Sequence, residues 1–244
     1  VIDREYILTN YHVVDDAAIK KRNNKAEYAV VDGTVKNVRA AQLIWVSPEL
    51  DLAVIRVPGL ARPSLTLSSA TMTDYPGKAD TVWAIGYPGI VSDALKSDEG
   101  SHAQSTVTKG VVAKIAMGSM QGGADKTRPV IQHDASINKG NSGGPLLDDC
   151  GVVVGVNTFA PYAILQVAKV QGKDVAHGSP NTGVFFAPHI GNFLEAHKTA
   201  AQLKGVNVTS SSVACPTAMG ETGGLPVLVY VAIGLVALLA LGAG

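Results

Sequence analysis

The chain is poor in cysteine, poor in aromatic residues and without a charge excess of either sign. Its 244 residues hold two cysteines, 5% aromatics, and 20 basic against 20 acidic side chains. Two cysteines, Cys150 and Cys215, exclude a disulfide-built scaffold and are wrongly spaced for a zinc ribbon. A formal net charge of zero removes the electrostatic footprint of a nucleic-acid binder, so no nucleic-acid partner is expected. Charged residues at 16% beside 46% hydrophobic residues argue equally against disorder. What remains is length enough for one large or two small domains around a sizeable core.

Long helical patterns are scarce in residues 1–204. Short runs rich in Val, Ile and Thr recur instead, at 6–9, 26–31, 42–46 and 52–57, then at 81–88, 105–116, 130–135, 151–159 and 183–188. Many short strands broken by turn residues point to an all-β sandwich or barrel. A polar stretch near 68–78 divides the strands into two groups. One helix is expected, from Ile190 to Leu203, because Ile190, Phe193, Leu194 and His197 fall at i, i+3, i+4 and i+7.

The last twenty residues, 225–244, contain no charged side chain. A helix of that length spans roughly 30 Å, the thickness of a bilayer core. A membrane-spanning helix is therefore the expectation, with a lipid-anchor signal and a buried core helix as the competing readings. Residues 205–224, rich in Gly, Ser, Thr and Pro, read as a flexible tether. That stretch has no Lys or Arg, which places the body outside the cytoplasm of a single-pass protein with the lipid bilayer as a partner. Asn207-Val208-Thr209 also matches a glycosylation acceptor, a common triplet of little weight.

The sharpest local signal is Gly140-Asn141-Ser142-Gly143-Gly144-Pro145. Glycines around a serine let the backbone turn tightly and leave N–H groups free to face an anion, which is what acyl transfer needs. A Gly-rich hairpin with a capping serine is the plain alternative. The string also fits the nucleophile elbow of α/β-hydrolases, but that fold needs a helix directly after the serine, and strand-like residues follow here. A serine nucleophile needs a base, and the base an orienting carboxylate. His12 lies where the strand at 6–9 ends, and Asp51 begins another strand. The chain order His, Asp, Ser is that of the double-barrel serine proteases.

Thr9-Asn10-Tyr11-His12-Val13-Val14, Asp51-Leu52-Ala53-Val54-Ile55, Gly86-Tyr87-Pro88-Gly89 and the run from Gln132 to Leu146 together resemble the protease domain of HtrA/DegP-type, trypsin-like serine proteases. The resemblance covers roughly residues 1–195. It implies two six-stranded antiparallel β-barrels of the chymotrypsin type, about 1–75 and 79–190, followed by the helix at 190–203. It further implies His12 as general base, Asp51 as its orienter, Ser142 as nucleophile, and the N–H groups of Gly140 and Ser142 as an oxyanion hole, with no metal or cofactor. By register the base of the specificity pocket is Ser136, an uncharged residue that favours small or medium aliphatic side chains in a polypeptide substrate. Three departures stand out. Strand signals begin at the end of the second expected strand, so the first barrel is truncated; His133 replaces a small polar residue; and the tether and apolar run stand where a PDZ-like domain would follow.

The function implied is a membrane-tethered serine endopeptidase. A catalytically silent binding or sensor module and an esterase using the same residues are the rivals. Cys150 and Cys215 form a candidate disulfide, which the extracytoplasmic placement permits. Asn141, immediately before the serine, carries no charge to pair with a freed α-amino group, so activation by the trypsinogen route is not expected. Control is placed instead in the polar loops 92–104 and 118–128.

Overall fold

The computed structural model describes residues 1–15, 28–32, 38–88, 105–118, 127–158, 162–170, 173–180, 183–216 and 236–240. In chain order its elements are β1 (Tyr6–Thr9), α1 (Tyr11–Val14), β2 (Tyr28–Asp32), β3 (Val38–Ser47), β4 (Leu52–Arg56), β5 (Leu67–Ser68), β6 (Thr81–Gly86), β7 (Thr106–Gly118), β8 (Arg128–His133), β9 (Pro145–Leu147) and β10 (Val153–Val156). A hairpin of β11 (Tyr162–Val170) and β12 (Lys173–Pro180) follows, then β13 (Phe185–Pro188), α2 (Ile190–Thr199), β14 (Ser210–Ser211) and β15 (Val236–Ala240).

β4 is apolar from Leu52 to Ile55 because both of its faces are covered there. Leu52 and Val54 face a cluster shared with the second sheet, whereas Ala53, Ile55 and Val57 face the core of the first. Such a strand belongs in a sheet interior, and β4 lies between β1 and β3 in the order β1-β4-β3-β2-β15. The second sheet runs β13-β8-β7-β6-β9-β10-β5-β14 and closes over Val82, Ala84, Val112, Ile131, Leu146, Val154 and Ala187. Phe193 of α2 and the following Leu203 and Val206 pack where the two sheets meet, among Leu8, Leu52, Leu67, Leu147 and Val153. α2 ends at Thr199 and a 3-10 turn over Ala201–Leu203 completes the expected helical span.

The sheets are open, which corrects the expectation of two closed six-stranded antiparallel barrels. In the first, β1 and β15 are the two ends, and among the described residues no ladder joins them. In the second, β10 pairs with β5 in parallel, and so does β14, so the sheet extends past β10 instead of turning back to β13. Among the described residues, β13 and the His189 that follows it meet that side through the isolated bridges Gly155–His189 and Thr158–Phe186. Closure requires the two edge strands to pair with each other at the correct stagger, and the additions of β5 and β14 beyond β10 leave the edges at β13 and β14 without such a ladder.

The apolar C-terminal run departs from expectation as well. Among the described residues no helix is long and apolar enough to cross a membrane. Val236–Ala240, within the expected span 225–244, form β15, antiparallel to β2 with Val236 opposite Asp32 and Ala240 opposite Tyr28. β2 explains this, since Tyr28, Ala29, Val30 and Val31 are all buried and a strand apolar on both faces leaves an edge that recruits another strand. The membrane-spanning helix, the bilayer as a partner and the single-pass placement fall together.

Residues 206–216 run along the body. The Leu67 and Ser69 N–H groups donate to Thr209 and Ser211 carbonyls (2.9 and 2.8 Å), the Asn207 N–H donates to Asp3 Oδ2 (2.8 Å), and Cys150 and Cys215 are joined by a disulfide. Around it, buried Tyr75 donates its hydroxyl to Asp148 Oδ2 (2.6 Å) and accepts the Cys215 N–H (3.0 Å). Beyond these bonds residues 210–216 bury little, so the covalent link is what holds them. Reducing the disulfide, or Cys150→Ser, is expected to release this segment locally. Hydrogen exchange should then show the Ser69 amide losing protection while amides of β4 keep theirs; unchanged protection at Ser69 would refute this.

His133 lies in the second core, 1% exposed, its ring 6.0 Å from that of Phe185 and both nitrogens without a hydrogen-bond partner among the described residues. Burial pushes its pKa down from 6.5 to about 4. The folded state therefore binds fewer protons than the unfolded state between those values, and stability falls as pH drops through that window. A shift of this size corresponds to about 3 kcal/mol. His189, buried with Nε2 on the Tyr75 carbonyl (2.7 Å), is shifted down for the same reason. His133→Leu should flatten the decline in Tm between pH 6.5 and 4; an identical decline in parent and variant would rule the assignment out.

Candidate active site

β1 ends at Thr9, Asn10 bridges to the single turn of α1, and His12 is the second residue of that turn. Asp51 closes the turn that opens β4, its N–H donating to the Pro48 carbonyl (3.2 Å) and its φ at 51°, in the left-handed region. β1 and β4 are antiparallel neighbours with Thr9 opposite Ala53, so the two strand ends meet at one edge of the sheet. There the Asp51 carboxylate, 4% exposed, faces the His12 ring, 41% exposed. Nδ1 of His12 lies 2.8 Å from Oδ2 and 3.0 Å from Oδ1, and the His12 backbone N–H donates to Oδ1 at 3.0 Å. An ionised carboxylate only accepts, so Nδ1 carries the ring proton and a neutral His12 presents an unprotonated Nε2 outward.

The loop 138–145 is folded by its own backbone. Asn141 donates its N–H to the Asn138 carbonyl (2.9 Å) and accepts the Asn138 N–H on Oδ1 (3.2 Å), while the Gly144 N–H donates to the Asn141 carbonyl (3.0 Å). Gly140 and Gly143 have φ of 104° and 84°, values that favour glycine. A Cβ on Gly143 would lie 2.1 Å from Thr9 Oγ1, which brings the half-buried Ser142 segment onto the strand end that precedes His12. His12 and Asp51 are thus in direct contact, and the Ser142 loop is packed against the same corner.

Ser136 is exposed, and its carbonyl accepts the Thr108 hydroxyl (2.7 Å). Asp134, also exposed, spends Oδ1 on the Val111 N–H (2.6 Å). Of the loops assigned a regulatory role, residues 92–104 and 119–126 lie outside the described residues.

Sequence reasoning missed three residues here. Asn157 donates its N–H to the Gly144 carbonyl (2.8 Å), accepts the Gly143 N–H (3.0 Å), and donates Nδ2 to the Ile85 and Pro145 carbonyls (3.2 and 2.9 Å). Thr158, next in the chain, places its hydroxyl 3.4 Å from Asp51 Oδ2, and Asn10 donates to both Thr158 and Asp51. Their one available signal was position: polar residues directly after a buried strand, and two places before the histidine.

A family profile described as a trypsin-like peptidase domain matches residues 1–156. The chain is 36% identical over 154 residues to a probable periplasmic serine endoprotease, DegP-like, of Chlamydia trachomatis, over 63% of this chain and 26% of that protein. It is 28% identical over 227 residues to the serine protease Do-like HtrB of Bacillus subtilis, over 91% of this chain and 43% of the relative. The chain therefore spans less than half the length of either. Among solved structures, the HtrA-type protease AlgW with decapeptide superposes with a TM-score of 0.52 at 28% identity, over 81% of this chain and 48% of that one. The active form of the Rv3671c protease from M. tuberculosis shares the fold, with a TM-score of 0.57 at 22% identity over 88% and 76% of the two chains. A histidine–aspartate contact beside a glycine-bounded serine loop, on a chain whose first 156 residues fit the peptidase profile, makes this protein a member of the HtrA/DegP family of trypsin-like serine proteases.

Proposed function

We propose that the chain is a serine endopeptidase in which Ser142 attacks a peptide carbonyl, His12 takes the hydroxyl proton through Nε2 and returns it to the leaving amine, and Asp51 holds the imidazole. The observation that carries this reading is the 2.8 Å contact between His12 Nδ1 and Asp51, which sets the tautomer a general base needs. The N–H groups of Gly140 and Ser142 are assigned to the developing oxyanion, a role suited to a loop whose glycines take left-handed conformations. Ser136 is assigned to the substrate pocket. Since Asp134 spends Oδ1 on a backbone donor beside it, we assign no carboxylate to that pocket, and small or medium aliphatic side chains suit it better than Lys or Arg.

The test is labelling with a fluorophosphonate together with cleavage of a peptide library. Labelling that Ser142→Ala abolishes, with cleavage after aliphatic residues, is the expected result. An unlabelled parent would favour a silent binding module, ester hydrolysis without peptide cleavage an esterase, and dominant cleavage after Arg or Lys would overturn the pocket assignment.

A further inference from the structure

Asn10 is fully buried at the junction of β1 and α1. Asparagine in this position ordinarily caps the helix with its side-chain oxygen. Here it makes no cap bond. Both hydrogens of its amide are spent elsewhere, on the Asp51 carbonyl (3.0 Å) and on Thr158 Oγ1 (3.0 Å). The orientation of the amide is determined, because the Asp51 carbonyl is only an acceptor and must face nitrogen. The amide oxygen is buried without a partner among the described residues, so donation, not acceptance, is the use to which this side chain is put.

The consequence reaches the carboxylate. A threonine hydroxyl has one hydrogen, and on Thr158 it accepts from Asn10, which leaves that hydrogen for the other neighbour, Asp51 Oδ2 at 3.4 Å. Asp51 also sits at φ 51°, a conformation rare for a non-glycine residue, and the Asn10 bond to its carbonyl holds it there. Thr158 belongs to the second sheet's half and follows Asn157, which binds Gly143 and Gly144 of the serine loop.

We propose that Asn10 is a positioning residue for the reaction: it locks the Asp51 backbone and turns the Thr158 hydroxyl into a donor to the Asp51 carboxylate, fixing the orienting carboxylate to both halves of the molecule. The inference rests on the peptidase reading above and names a residue that acts through Asp51, without touching substrate.

The experiment uses the full chain with Asn10→Leu, which keeps size and removes the donor, the near-isosteric Thr158→Val, and the double variant. Three quantities are read: the rate of Ser142 labelling by a fluorophosphonate, kcat and KM on a peptide, and the downfield proton resonance of the His12–Asp51 hydrogen bond. Each single variant should slow labelling and kcat by about 10- to 100-fold, the scale of a small misplacement. KM should stay within about twofold, since ground-state binding is untouched, and the resonance should shift or vanish. The double variant should be no worse than the slower single, because both cut one path. Parental kcat with an unchanged resonance, a loss confined to KM, or multiplying losses would each overturn the proposal. If Asn10→Leu does not fold, Thr158→Val decides alone, and an unmoved resonance there refutes it. A parent that is not labelled at all would instead sink the peptidase reading, with the resonance still reporting on Asn10.

Discussion

Under the proposed peptidase mechanism, replacing Ser142 or His12 by Ala is expected to lower kcat by about 10⁶, because nucleophile and base would act as one unit and removing either forfeits the joint effect. Asp51→Asn should cost about 10⁴ for a different reason. Asp51 accepts from His12 Nδ1 at 2.8 Å, which keeps the proton on that nitrogen. An asparagine amide can face Nδ1 with a donor, which pushes the ring proton to Nε2 and removes the lone pair that accepts from the serine. The three variants should therefore fall in two classes while retaining a parental Tm within the scatter of surface changes. Peptide hydrolysis under single-turnover conditions measures this directly. Near-parental hydrolysis by Ser142→Ala would end the assignment.

Gly144→Ala is expected to lower both stability and activity without touching a reacting group. A Cβ at Gly144 would stand 2.0 Å from the Ile85 carbonyl oxygen and 3.0 Å from that of Asn141. Both are backbone atoms that cannot swing aside, and the Ile85 carbonyl is already held by Asn157. Gly86 on the facing strand is equally tight, since its Cβ would meet the Asn141 Cα at 2.5 Å. The serine loop and β6 thus touch backbone to backbone. Forcing them apart should cost about 1–3 kcal/mol in stability. Displacing Ser142 by an ångström should lower kcat by about 10². Gly118→Ala is the control, because among the described residues its Cβ would meet the Val130 side chain at ordinary contact distance, Cγ2 at 3.6 Å. Calorimetry and kinetics on the pair should separate them; equal behaviour would show that the close approach does not position the loop.

Much of the site was legible because its chemistry is written in contiguous residues. Gly140 to Pro145 announces a tight loop around a serine, and strand ends beside His12 and Asp51 follow from short runs rich in Val, Ile and Thr. The partners Asn10, Asn157 and Thr158 were not legible in the same way. Asn10 and Thr158 are separated by 148 residues in the chain and meet only after both sheets have formed. Nor does a polar residue at the end of a strand declare in sequence whether it will cap, turn or reach across.

The C-terminal run shows the limit most clearly. Twenty residues without charge satisfy the length and hydropathy of a membrane helix. Hydropathy measures a preference for leaving water, and it does not say which apolar environment receives the segment. For Val236–Ala240 that environment is the edge of β2, a strand buried on both faces whose outer N–H and C=O groups needed a partner. Barrel closure was decided at the same level, since β10 and β14 both joined β5 in parallel, a pairing no local pattern encodes. By itself, then, the amino-acid sequence marked β1 to β4, β6 to β8, β10 and β13 and the glycine-bounded serine loop, all of which depend on neighbours a few residues apart. The tertiary structure alone decided which strand edges found which partners, and which buried donor turned a distant hydroxyl toward Asp51, because those choices depend on unsatisfied hydrogen bonds brought together from opposite ends of the chain.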